Sequence, residues 1–170
     1  MLSGWSCIDD TAVREIAIRS QSECHMLNLV DMDIHFCTGC WSCWWKTPGL
    51  CIFRDDMDVI LEKIITSDLL LLATPTLLGL PSALIKKTLD RSIPLVHPYI
   101  IVSDGELHHR KRYIHYPNLA LNTESGGNPT NFDNISTWIH RYARNFHGQV
   151  LFTYDESVSS KEVADALDRV

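Results

Sequence analysis

Apolar positions recur along this chain at two different periods. Met57, Ile60, Leu61, Ile64 and Ile65 fall at i, i+3, i+4, i+7 and i+8, which predicts a helix with one buried face. Asp55 and Asp56 stand at its start, where carboxylates cap free amides and suit the positive end of the helix dipole. A second stripe, Phe132, Ile135, Trp138, Ile139, Tyr142, Ala143 and Phe146, predicts a helix over Asn131 to Phe146 that Gly148 stops. Thr11 to Ser20 carries Val13, Ile16 and Ala17 on one helical face. Ser82 to Arg91 reads as a helix with Pro81 and Ser82 near its start and Pro94 beyond its end. Ser160 to Val170 reads as a final one. Between these lie shorter runs. Leu69 to Ala73 is continuously apolar and ends at Thr74 and Pro75, the pattern of a parallel strand buried on both faces. Cys24 to Val30, Leu119 to Asn122 and Val150 to Tyr154 are further strand candidates.

Strands alternating with helices predict βαβ units, right-handed crossovers and an α/β doubly wound parallel sheet. In open sheets of this kind ligands bind beyond the carboxyl ends of the strands. Ser3 to Asp10, Thr74 to Gly79 and Asn122 to Thr130 are then the loops to watch, with the segment after Val30 near the same edge. The chain has 170 residues and neither repeat nor low-complexity linker, so a single domain, 1–170, is expected.

Composition narrows the partners. Hydrophobic residues make up 45%, enough for a core, and the formal net charge is −6. Nucleic acid and acidic membrane surfaces call for a basic protein, so neither is an expected partner. The longest apolar stretch, Leu69 to Ile85, is broken by Pro75, Gly79 and Pro81 and reads as strand, loop and helix start, not a membrane span. No signal-peptide pattern stands at the N-terminus, so a cytoplasmic protein with reduced thiols is expected.

Six cysteines are many for this length, and four of them, Cys37, Cys40, Cys43 and Cys51, crowd into fifteen residues as C-x2-C-x2-C-x7-C. Thiolates suit soft metals and iron–sulfur clusters, and the first three cysteines resemble the ferredoxin run C-x2-C-x2-C, although no fourth follows after three residues and no proline follows Cys51. Three readings stand side by side: a [4Fe-4S] cluster, thiols carried without a cluster, and zinc or redox disulfides. Trp41, Trp44 and Trp45 share the segment, read either as packing and subunit contact or as an aromatic wall over a cofactor. Asp90 and Arg91 read as an ion pair or a helix-end charge effect. His108, His109, Arg110, Lys111 and Arg112 form a basic run, expected as a solvated loop, with a phosphate-contacting role as the sharper reading. No G-x-S-x-G elbow occurs, so hydrolase chemistry gains no support.

Phe36 to Arg91 resembles the NADPH-dependent FMN reductase and iron–sulfur flavoprotein group of the flavodoxin superfamily. The matching pieces are Cys37-Thr38-Gly39-Cys40-Trp41-Ser42-Cys43-Trp44, Gly49-Leu50-Cys51, Asp55-Asp56-Met57, Ser67-Asp68, Ala73-Thr74-Pro75 and Leu89-Asp90-Arg91. The resemblance implies a flavodoxin-like sheet of order 2-1-3-4-5. It implies FMN at the strand ends, NAD(P)H as electron donor and an oxidoreductase that reduces a small acceptor (quinone, flavin or metal) or a redox protein. Thr74, Pro75, Thr76, Leu77, Leu78 and Gly79 would pass along the flavin, with Asn122, Ser125, Gly126 and Gly127 approaching from the next strand. Backbone amides from Leu78, Gly79 and the Gly126 region would contact the ring. Ser3, Ser6 and the helix start at Thr11 would receive the phosphate. The cysteine quartet would hold the cluster in iron–sulfur members, and a homodimer or homotetramer is implied. Only Met1 and Leu2 precede the first loop, which lacks the group's usual proline and arginine, so the first strand is expected to be truncated. Leu77 stands where an aromatic is common. The alternative reading is the same fold without flavin, serving as an interaction or metal-binding module.

Overall fold

A computed structural model of the chain describes residues 2–3, 18–19 and 23–169. Most of the helix expected over Thr11 to Ser20, and the first loop with Ser6 and Thr11, lie outside the described residues.

Its centre is a sheet of parallel neighbours. β3 (Leu69–Leu77) pairs on one side with β1 (Leu2–Ser3), which in turn pairs with β2 (Leu27–Asn28). On the other side it pairs with β7 (Asn118–Glu124), and β7 with β8 (Val150–Tyr154). The pairings run in the expected order, but the expectation is met only in part. β1 and β2 are two residues each, and β4 (Leu80–Pro81) folds back antiparallel onto β3, so the sheet is mixed. Only Leu27–Asn28 of the expected strand Cys24 to Val30 is extended, because a 3-10 turn over Leu29–Asp31, capped by the Asn28 side chain, ends it.

Successive side chains of β3 go to opposite faces, and both faces are covered. Leu70 and Leu72 of β3 and Leu119 and Leu121 of β7 pack against three helices. These are α2 (Met57–Thr66), α3 (Ala83–Asp90) and α4 (Pro129–Asn145), which contribute Met57, Ile60 and Ile64, Ile85 and Leu89, and Ile135 and Ile139. Leu71 and Ala120 point the other way, onto Val163 of α5 (Ser160–Leu167). A continuous apolar run is what such double burial requires. Each buried Leu or Ile removes about 1.5–3 kcal/mol of apolar surface cost from water.

Two expectations are corrected. β3 does not stop at Ala73 but continues through Pro75 to Leu77. Among the described residues the pairing with β1 reaches Ala73, two positions short of Pro75. The stretch Thr74 to Gly79 is therefore strand and tight turn, not an open loop. The basic run is not a solvated loop either. Glu106–Lys111 is strand β6, paired antiparallel with β5 (Val96–Ser103), and His108 is buried against Asn145 of α4. Glu106 ties this hairpin down by accepting from Arg141 at 2.7 Å.

Candidate functional site

Two cavities hold many of the residues that the sequence singled out. The first lies where β3 and β7 end. Pro75, Thr76, Leu77 and Leu78 line one wall, and Glu124, Ser125 and Gly126 the other, around about 560 Å3. Thr76 and Thr123 bond hydroxyl to hydroxyl at 2.5 Å, and Thr123 donates to the Thr74 carbonyl at 2.7 Å, fixing the two strand ends side by side. Leu78 and Gly79 both have positive φ, 52° and 77°, and turn the chain from β3 into β4. A Cβ on Gly79 would stand 2.6 Å from the Asn134 Cβ of α4, so the turn packs directly on that helix. Leu77 and Leu78 are exposed at the rim.

Sequence reasoning missed Glu156, which follows β8 and joins this cavity. Its carboxylate accepts from the Ser125 amide at 2.8 Å and the Gly127 amide at 2.6 Å. Burial works against its charge, but those two amides outweigh it and hold its pKa below the ordinary value. Glu124 stands nearby with its pKa raised, by burial first and then by the Glu156 charge. The signal for Glu156 was its place directly after the last strand, at the edge where ligands gather. Thr74, Pro75, Thr76, Leu77, Leu78, Ser125 and Gly126 are thus brought together or adjoin one another. Asn122 and Gly127 sit at the same strand end and turn. Of Ser3 only the backbone, in β1, is described.

The second cavity, of about 140 Å3, is walled by all four cysteines, Cys37, Cys40, Cys43 and Cys51, with Phe53 and Arg91 among its other residues. The local chain is bent to do this. Gly39 and Trp41 have φ of 64° and 61°, and Trp41 caps the single-turn helix α1 (Ser42–Trp45). A left-handed backbone at a tryptophan is uncommon and marks a turn that its surroundings impose. Trp44 anchors the turn: its indole donates to the Ile93 and Val96 carbonyls at 3.2 and 3.1 Å. That supports the packing reading for Trp44, while Trp41 and Trp45 remain exposed. Cys37 and Cys40 are exposed, Cys43 and Cys51 half-buried, and all four are free thiols. Cys43 is pushed up to about 11 by burial and then by the charges of Cys51, Cys37 and Cys40. Four thiols that feel one another around one cavity are a donor set for a soft polynuclear centre. Among the described residues no three His, Cys, Asp or Glu side chains are placed to share a single metal ion.

Arg91 closes the back of this cavity and is nearly inaccessible to solvent, at 1% side-chain exposure against 0% for Asp55. Its Nη1 donates to Asp55 Oδ2 at 2.8 Å and its Nη2 to Asp55 Oδ1 at 3.0 Å, and Nη1 also donates to the His35 carbonyl at 2.8 Å. The sequence marked Asp90 and Arg91 together. The structure separates them, since Asp90 pairs with Lys86 on the surface while Arg91 reaches across the fold. Asp56 does not cap α2 with its side chain; it accepts from the Asp33 amide at 2.7 Å, while Asp55 Oδ1 accepts from Met57 N.

No family model matches the chain. The chain is 34% identical over 88 residues to an iron-sulfur flavoprotein of Archaeoglobus fulgidus, a match covering 52% of this chain and 39% of that protein. It is 38% identical over 73 residues to an iron-sulfur flavoprotein of Methanocaldococcus jannaschii, covering 43% and 37%. The chain thus spans well under two thirds of the length of the curated relatives it matches. Among solved structures, a flavone reductase superposes with TM-score 0.65 at 15% identity, over 97% of this chain and 57% of that one. An azoreductase superposes with TM-score 0.64 at 9% identity, over 99% and 98%. An NADH:FMN oxidoreductase in its apo form gives 0.55 at 15%, over 99% and 84%. At these identities the structural likeness defines the fold, which is that of the flavin reductases and azoreductases. The resemblance to the flavodoxin-like FMN reductase and iron–sulfur flavoprotein group therefore stands on both sequence and fold. Among the described residues no helix is long and apolar enough to cross a membrane.

Proposed function

We propose that this chain is an FMN-dependent NAD(P)H oxidoreductase that passes electrons to a small acceptor, a quinone, flavin or metal, or to a redox protein. The observation that carries the reading is the cavity at the ends of β3 and β7. It lies at the edge where open α/β sheets bind ligands, and its volume suits a ring system. Bound FMN would supply the hydride chemistry, and the protein placement and electrostatics. Pro75 to Leu78 would form the wall beside the ring, and the Ser125–Gly127 turn, shaped by Glu156, the facing wall. The second cavity extends the reading. Its donor set fits a [4Fe-4S] cluster, which would pass electrons singly, held by Cys37, Cys40, Cys43 and Cys51. The orphaned buried Nε of Arg91 in the same wall favours an occupant that accepts hydrogen bonds.

One observation favours the flavin-free alternative. Leu77 and two carboxylates, Glu124 and Glu156, stand at the cavity where an aromatic side chain and neutral donors would suit a flavin better. A visible spectrum of anaerobically purified protein, followed by FMN titration, separates the readings. The oxidoreductase reading expects flavin bands or quenching of FMN fluorescence at micromolar protein, and NAD(P)H oxidation by the loaded protein. Folded protein that leaves FMN fluorescence unchanged overturns it. A homodimer or homotetramer completes the proposal, supported by exposed Tyr99, Ile100, Val102 and Leu107 on the β5–β6 hairpin. Size-exclusion chromatography with light scattering tests it, a monomer counting against.

A further inference from the structure

Arg91 carries more hydrogen-bonding capacity than Asp55 and the His35 carbonyl use. A guanidinium has five N–H donors in a fixed plane. Nη1 spends both of its hydrogens, on Asp55 Oδ2 and the His35 carbonyl, and Nη2 spends one on Asp55 Oδ1. The two donors left over, Nε–H and the second Nη2–H, lie along one edge of the plane. Nε is buried and has no hydrogen-bond partner. Buried donors are rarely left so, and such an orphan points to a missing acceptor. Burial opposes the guanidinium charge, but the Asp55 hydrogen bond, the Cys51 and Asp55 charges and a side-chain contact with the Cys51 sulfur outweigh it and push the Arg91 pKa up. Cys51 is therefore the cysteine nearest in influence. The Phe53 ring, 5.5 Å from the guanidinium carbon, covers a face of the plane and belongs to the same cavity wall.

We propose that Arg91 donates its unused guanidinium edge to the sulfurs of the centre held by Cys37, Cys40, Cys43 and Cys51, and thereby raises that centre's reduction potential. The inference rests on the cysteine-held cluster put forward above. Asp55 neutralises the far edge of the guanidinium and fixes its tilt, so the near edge presents its positive donors in one orientation. Adding an electron to a thiolate-ligated centre adds negative charge at the sulfurs. Donors and positive charge beside them favour the reduced state. Arg91 is in this sense a positioning and tuning residue, and it binds no iron.

The test uses the full chain, reconstituted anaerobically with ferrous iron and sulfide and titrated against redox mediators by EPR. Because Arg91→Gln alone would strand the Asp55 charge, the informative variant is the double Asp55→Asn/Arg91→Gln, with Arg91→Lys beside it. The double variant is expected to show at least a tenfold lower reduced-to-oxidised ratio at fixed poise, about 59 mV for one electron. Arg91→Lys, which keeps the charge without the planar edge, is expected to fall between. A second measurement needs no variant. With 15N-arginine incorporated, the reduced wild-type centre is expected to show 15N hyperfine coupling. Loaded, folded double variant with wild-type potential overturns the inference, and so does absent 15N coupling. If wild-type protein takes up no iron and sulfide, the cluster reading itself falls, and the inference with it.

Discussion

The Asp55 carboxylate is the point where three separate stretches of chain meet on Arg91. Both its oxygens bond the guanidinium, at 2.8 and 3.0 Å, while Oδ2 also accepts from the His35 amide at 2.9 Å and Oδ1 from the Met57 amide at 3.1 Å. One ion pair therefore joins the segment before the cysteines, the start of α2 and the end of α3. Removing one partner of such a pair leaves an unpaired buried charge, at a cost of about 3–5 kcal/mol. Arg91→Met is expected to lower the urea midpoint by that equivalent. The double change Asp55→Asn/Arg91→Met should cost less than either single change. Equal midpoints for Arg91→Met and wild type would refute this.

The same pair predicts a pH dependence with a definite sign. Burial alone would raise the Asp55 pKa, but Arg91 and the His35 amide hold it well below the carboxylate range. A depressed folded pKa gives stability that is present above the unfolded value, about 3.9, and is lost as pH falls through the folded one. Wild-type stability should therefore decline below about pH 4 more steeply than that of the Asp55→Asn/Arg91→Met variant. Denaturant midpoints from pH 7 to pH 2.5 measure the difference, and parallel curves would contradict the assignment.

Much of the frame was legible because it depends on local periodicity. Met57 to Ile65 announced α2, and the unbroken run at Leu69 announced a strand buried on both faces. What periodicity cannot carry is a partner far along the chain. Arg91 was visible beside Asp90, yet only the fold brings it 36 residues back to Asp55. His108 to Arg112 looked like a solvated loop because charge is a local signal. Its pairing with β5 and the burial of His108 on α4 are long-range facts. Glu156 was missed for the same reason, since a lone acid after a strand gains meaning only when Ser125 and Gly127 present their amides to it. Around the cysteines, spacing showed four thiols crowded into fifteen residues but neither the backbone turn at Trp41 nor the arginine behind it.

Glu156 should hold the Ser125–Gly127 turn in shape. The carboxylate is exposed, so solvent screening reduces each of its hydrogen bonds, and together they contribute about 1 kcal/mol. Glu156→Ala is expected to raise amide hydrogen exchange at Ser125 and Gly127 roughly fivefold while the core amides of β7 stay protected. If the cavity binds FMN, its affinity should fall by a similar factor. Unchanged exchange at both amides would show that the turn holds itself.

Gly79 tests the packing of the β3–β4 turn on α4. Its φ of 77° disfavours any side chain, and an added Cβ would meet Asn134 at 2.6 Å. Gly79→Ala combines backbone strain of about 1–3 kcal/mol with that clash. The double change Gly79→Ala/Asn134→Gly removes the clash and leaves the strain, so it should recover part of the lost stability. No recovery would mean that the backbone conformation alone requires glycine here.

The thiols of the metal-free protein should differ sharply in reactivity, although they share one cavity. The thiolate is the nucleophile, so exposure and pKa decide the order. Cys40 is exposed, and hydrogen bonds from the Ser42 side chain and amide lower its pKa. Cys43 is half-buried and pushed up to about 11, which at pH 8 leaves roughly one thiol in a thousand ionised. Iodoacetamide at pH 8 is therefore expected to label Cys40 first and Cys43 last, read by mass spectrometry of the cysteine peptides. Raising the pH to 10 should speed Cys43 far more than Cys40, because the Cys43 thiol is pushed up and the Cys40 thiol held down. Prior loading with iron and sulfide should protect Cys37, Cys40, Cys43 and Cys51 together, while Cys24, which lines neither cavity, keeps its own rate. Equal rates at Cys40 and Cys43 in the metal-free protein would mean that the four thiols do not face one another as the fold arranges them.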